Sequence, residues 1–182
     1  MTGPTKAVLP LVAAGLVVAG WYGGPLIHPT SAPPETRRAA PRIRVVGPVA
    51  LSAAQLRAEV RFLRQPFFWA GPRPGYRYEL TRTTPGYVYV RYLPRGVRAG
   101  ASGSSFLIVA TYPFPGAYKA LTRVARGKEI AGPGGSIVFV RPKDPKSVLL
   151  AFPRVDYEIE VSGPSPAVAA AVAESGRVRP VG

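Results

Sequence analysis

The chain of 182 residues contains no cysteine, one histidine and one methionine, and its 9 acidic residues face 24 Lys and Arg. Without cysteine there is no disulfide scaffold, no thiolate nucleophile, no c-type haem attachment and no cysteine-ligated zinc or iron–sulfur site. With His28 standing alone, histidine metal clusters are excluded and most metalloenzyme and Ser-His-acid readings fail as well. No cofactor is implied by what remains. The Gly-rich stretches at residues 100–105 and 132–135 lack the Lys-Ser/Thr ending and the following helix of a phosphate-binding loop, so they are turns.

What is present is positive charge, punctuation and enough apolar content for a core. The formal charge is +15, Pro and Gly number 22 and 20, and 47% of residues are hydrophobic, which argues against global disorder. The length suits one ordinary domain with extensions.

Residues 7–27 form a run of 21 without a charge. A helix needs about 20 residues to cross a hydrocarbon layer of about 30 Å. Trp21 and Tyr22 fit an interfacial belt. The densest apolar part, residues 9–22, is also the size of a signal-peptide core, so an uncleaved anchor and a secreted protein after signal cleavage both stand as readings. The absence of cysteine excludes a lipoprotein anchor. The early position of the segment favours an extracytoplasmic C-terminal domain, although Arg37, Arg38, Arg42 and Arg44 follow closely and a positive-inside count favours the reverse. Residues 28–48 hold five prolines and read as an extended basic linker. The chain thus divides into a tail (1–6), an apolar anchor or signal (7–27), a linker (28–48) and a domain (49–182).

Within the domain, Ser52 followed by Gln55 has capping-box spacing and opens a helix that Pro66 stops. Leu56, Val60 and Leu63 form its inward stripe, and Arg57, Arg61 and Arg64 form a basic rail one residue on. Phe67, Phe68 and Trp69 follow, either plugging the core or lining a ligand wall. Strands are expected at residues 76–82, 87–93, 106–112, 137–140, 148–152 and 157–161, with Tyr78, Leu80, Val88, Val90 and Tyr92 facing the core. A second helix over residues 117–127 turns Ala117, Leu121 and Val124 inward, and Lys119, Arg123 and Arg126 repeat the basic spacing 62 residues after the first rail. A third opens at Ser165-Pro166. The expected fold is α+β: an N-terminal transmembrane or signal helix, then a two-layer domain of a mostly antiparallel sheet with about three helices and a weak internal duplication.

Asp156, Glu158 and Glu160 alternate with apolar residues, which puts three carboxylates on one strand face. They are weak metal or acid–base candidates, because same-face neighbours stand roughly 6–7 Å apart and cross-strand pairing with Arg or Lys explains them as well. Charge is uneven: residues 37–98 hold 13 basic and 2 acidic residues, net +11, and residues 99–182 hold 10 and 6, net +4. Such a field draws an anionic membrane surface, an acidic envelope polymer or an acidic protein, while nucleic acid is discouraged for an exported domain. The functional expectation is a non-enzymatic, membrane-tethered, extracytoplasmic binding or assembly module, with Arg57, Arg61, Arg64, Lys119, Arg123, Arg126 and Trp69 as ligand contacts. The alternatives are a small carboxylate-dependent or metal-assisted hydrolase or transferase, and a carrier of an apolar ligand lined by Phe67, Trp69 and Tyr112.

Overall fold

Alternating apolar and polar residues build most of this domain as strands, and three amphipathic or apolar runs build its helices. A computed structural model describes residues 45–103 and 105–182; the tail, the apolar stretch and the linker up to residue 44 lie outside the described residues. The strands are β1 (Val45–Leu51), β2 (Phe68–Trp69), β3 (Tyr76–Thr83), β4 (Val88–Pro94), β5 (Ile108–Pro113), β6 (Ile130–Ala131), β7 (Ile137–Val140), β8 (Ser147–Ala151), β9 (Tyr157–Ser162) and β10 (Arg179–Pro180). The helices are α1 (Ala53–Leu63), α2 (Ala117–Ala125) and α3 (Pro166–Glu174). No described helix is long and apolar enough to cross a membrane.

Eight strands form one antiparallel sheet in the order β1-β3-β4-β5-β9-β8-β7-β6, and β2 pairs separately with β10. Side-chain alternation separates its faces. The first carries Tyr78, Leu80, Val88, Val90, Tyr92, Val109, Ile159, Val161, Val148 and Leu150, buried together with Leu56 of α1 and Ala169 and Ala173 of α3. The second carries Ile137, Phe139, Leu149 and Ala151, which α2 covers with Ala117, Leu121 and Ala125. The α+β class and the largely antiparallel sheet are as expected, with the main two-layer core on the first face and α2 covering part of the other. The two helix-plus-meander units do not repeat by a two-fold axis: antiparallel β5 and β9 would require an axis normal to the sheet, which keeps both helices on one face.

The capping box forms as read. The Gln55 amide N–H donates to Ser52 Oγ at 3.2 Å, and the Ser52 N–H donates to Gln55 Oε1 at 2.8 Å. The inward face of α2 differs from expectation. Val124 is 37% exposed and Ala125 is buried instead, the small residue taking the position nearest the sheet. A strand also occupies part of the stretch assigned to the linker. β1 pairs with β3, and its register shifts between Val46 and Val49. Gly47 makes this bulge: its φ is +109°, and a Cβ there would lie 2.6 Å from the Leu80 carbonyl oxygen. Pro48 sits in the same bulge and has no N–H to give to a ladder, which is tolerated in β1 as an end strand of the described sheet.

Trp69 is a core residue, 1% exposed. The two-residue pairing of β2 with β10 is fastened to the sheet by side chains. The Phe68 N–H donates to Thr111 Oγ1 at 2.9 Å, and the Ala70 N–H donates to the Tyr92 hydroxyl at 2.7 Å. The loop before β5 is tied down by Glu79, whose Oε2 accepts from Arg91 at 2.6 Å and from the Gly100 N–H at 2.7 Å.

Two residues of α1 give a direct check. Leu56 is fully buried and Phe62 is 77% exposed. Leu56→Ala should cost about 2–5 kcal/mol in urea unfolding. Phe62→Ala should stay within roughly 0.5 kcal/mol of the parent. Equal losses would mean that α1 docks through a different face.

Candidate functional site

The first helix presents its rail outward: Arg57, Arg61 and the C-cap residue Arg64 are all exposed. The Arg57 guanidinium carbon lies 5.2 Å from the centroid of the Trp69 ring. Trp69 therefore supports an arginine from below and does not itself meet solvent. The β2–β10 pairing brings in cations that the sequence reading did not include. Arg179 pairs with Trp69 across the strands, Arg177 reaches the Pro72 carbonyl at 3.4 Å, and Arg73 lies 5.6 Å from the centroid of Tyr76. The signal for Arg177 and Arg179 was their place on either side of Val178, which is buried at 4%. Among the described residues the ion pairs are Glu79–Arg91 and Glu160–Arg141, so none of these six arginines is neutralised by a carboxylate partner there. A guanidinium laid on an aromatic face keeps its N–H edge available and loses less freedom on meeting an anion.

Lys119, Arg123 and Arg126 are exposed too, but they belong to a helix on the opposite face of the sheet. α1 packs against β1 and β3, and α2 against β7, β8 and β9. The structure does not bring the two rails together into one surface.

The three carboxylates have three different surroundings. Asp156 Oδ1 accepts from the Gly116 N–H at 2.9 Å and holds the start of α2. Glu160 projects from the second sheet face and is saturated: it accepts from the Tyr112 hydroxyl at 2.7 Å, from Arg141 Nη2 and from Ser147 Oγ. Ser147 is 2% exposed and its hydroxyl also accepts from Arg141, so it is locked in this network and presents no nucleophile to solvent. Tyr87 and Tyr89 meet the Tyr112 ring edge-on, at centroid separations of 5.0 and 6.0 Å. Burial pushes the Tyr112 hydroxyl far above its ordinary pKa, and the Glu160 charge and hydrogen bond add to it.

Glu158 lies across from Tyr112 on one side and Ala151 on the other, with no hydrogen bond or ion pair among the described residues. Burial pushes its carboxyl up, the neighbouring Glu160 charge pushes the same way, and Arg141 opposes both. Among the described residues no group of three or more His, Asp or Glu is arranged to hold a metal. The groove of about 240 Å³ beside α1 is lined by Val46, Leu63, Gln65, Thr83, Tyr87 and their neighbours, and contains none of the three carboxylates. Nor do the carrier residues share a cavity: Phe67 and Trp69 are buried in the core of the first face, while Tyr112 stands on the second. No family model, curated protein or solved structure matches the chain.

The Glu158 shift has a definite sign. A carboxyl whose folded pKa is raised contributes stability that is present below its unfolded pKa and lost as pH rises through the folded one. Glu158→Gln should therefore raise unfolding stability relative to the parent at neutral pH. In acid, below the ordinary glutamate range, that advantage should disappear. A variant less stable at neutral pH would show that Glu158 has a favourable partner.

Proposed function

We propose that this protein is a non-enzymatic binding or assembly module, tethered to a membrane by residues 7–27 with its domain on the extracytoplasmic side, and that its partner is anionic. The observation that supports this most is the set of arginines around α1 and β2, Arg57, Arg61, Arg64, Arg73, Arg177 and Arg179, without a carboxylate partner among the described residues. Guanidinium groups suit planar, bidentate contact with phosphate or carboxylate. A field of this kind steers an acidic partner at long range and weakens as salt is added.

The saturation of Glu160 and the use of Asp156 to hold α2 favour this reading over carboxylate chemistry. A general acid or nucleophile needs a free group facing a reacting atom. The placement of the rails on opposite sheet faces gives the α1 side priority, because Arg73, Arg177 and Arg179 extend it while α2 stands apart.

Heparin, a soluble polyanion, provides the test with the full chain in neutral detergent. Each exposed charge pair contributes roughly 0.2–1 kcal/mol and reversal puts a repulsion in place of an attraction, so changing Arg57, Arg61 and Arg64 to Glu should weaken binding by about tenfold or more. Reversing Lys119, Arg123 and Arg126 should weaken it far less. Binding indifferent to salt would defeat the anionic reading, and equal losses from the two triple variants would defeat its assignment to α1.

A further inference from the structure

The outward surface of α1 is not purely basic. At 100° per residue, Leu56, Val60 and Leu63 face the sheet, while Ala54, Ala58 and Phe62 stand one turn apart on the far side, and all three are exposed. Phe62 is 77% exposed, the highest value among the described large hydrophobic residues that stand out of the core. A lone surface apolar residue is ordinary. Here the outward face carries the ring on one flank of the alanines and the basic rail on the other, with Arg61 about 100° round the helix from Phe62 and Arg57 and Arg64 beyond it; the single acid of the helix, Glu59, lies about 60° from Phe62 toward the sheet, half-buried. Past the end of the helix, Val46, 57% exposed, shares a groove with Leu63 and Gln65.

A soluble polyanion would satisfy the arginines and leave the Phe62 ring in water. An anionic bilayer satisfies both, because phosphate groups lie at one depth and hydrocarbon begins a few ångströms below. Residues 28–44, the 17 between the uncharged run and β1, span at most roughly 60 Å even when fully extended. A domain tethered through residues 7–27 thus stays at high effective concentration beside lipid. Building on the anionic-partner reading above, we infer that α1 docks onto an anionic lipid surface, with Arg57, Arg61 and Arg64 against the headgroups and the Phe62 ring among the first acyl carbons.

The absence of cysteine supplies the test, since a single introduced cysteine takes a nitroxide label at one known position. The full chain carrying Phe62→Cys or Ala58→Cys is reconstituted in phosphatidylcholine vesicles with and without phosphatidylglycerol. The preference of each label for collision with oxygen over a nickel chelate is then read by electron paramagnetic resonance. In phosphatidylglycerol vesicles both labels should shift to lipid-like accessibility, the one at 62 several-fold further than the one at 58. They should stay water-like in pure phosphatidylcholine, and in phosphatidylglycerol once Arg57, Arg61 and Arg64 are changed to Glu. A Lys119→Cys label on α2 should stay water-like throughout.

Lipid contact that persists in pure phosphatidylcholine or in the charge-reversed background overturns the inference. If the label at 62 stays in water on every vesicle but is immobilised by heparin, lipid docking is overturned while the anionic-partner reading stands. A label that responds to neither removes both.

Discussion

The pairing of β5 with β9 is the constraint on which the rest of the domain depends. It joins two meanders, β1-β3-β4-β5 and β9-β8-β7-β6, into one sheet, aligning Val109 with Val161 and Thr111 with Ile159. Because side chains alternate along a strand, this register sends Val109, Thr111, Ile159 and Val161 to one face and Ala110, Tyr112, Glu158 and Glu160 to the other. A slip of β9 by one residue would carry Glu158 and Glu160 into the core and bring Ile159 and Val161 out. Thr111 adds a local lock, since its hydroxyl accepts the Phe68 N–H and so ties β2 to the same strand.

From that register follows the division of the protein's charge. One face takes α1 and α3 and becomes the main core; the other takes α2 over β7, β8 and β9 and leaves a row of tyrosines, glutamates and arginines beyond it. The glutamates of this row are mostly used internally, Glu79 by Arg91 and Glu160 by Arg141, Ser147 and Tyr112. The arginines around α1 and β2 have no such partners among the described residues. A charge of +15 spread over the sequence thus resolves into separate surfaces with different chemistry.

Much of this was legible in the residues. Capping at Ser52, the stop at Pro66, the hairpin of β3 and β4 with its five inward residues, and the start of α3 at Ser165 each follow from local preferences that agree with the tertiary fold. The missed elements have a common cause. β1 contains a glycine and a proline that locally read as linker and are tolerated only because the strand lies at an edge with a bulge. β2 and β10 are two residues each and exist through tertiary pairing. On α2 the i, i+4, i+7 spacing pointed to Val124, and the structure buries Ala125, one residue on, instead. Of the candidate site, the exposure of both rails was legible and their separation was not. Which sheet face a helix covers depends on connections that one sequence segment does not encode.

Trp69 had two readings in the sequence, a plug of the core and a ligand contact. The indole is buried in the core, with the Arg57 guanidinium carbon 5.2 Å from its ring centroid. The proposal places the anionic partner on the α1 and β2 surface and not on the α2 rail. Amide hydrogen exchange of the full chain on phosphatidylglycerol vesicles, referenced to phosphatidylcholine vesicles, distinguishes the two. Exchange should slow across Ala53–Leu63 and in the segments around Arg73 and Arg177, with Ala117–Ala125 unchanged. Protection confined to Ala117–Ala125, or equal at both helices, would contradict it.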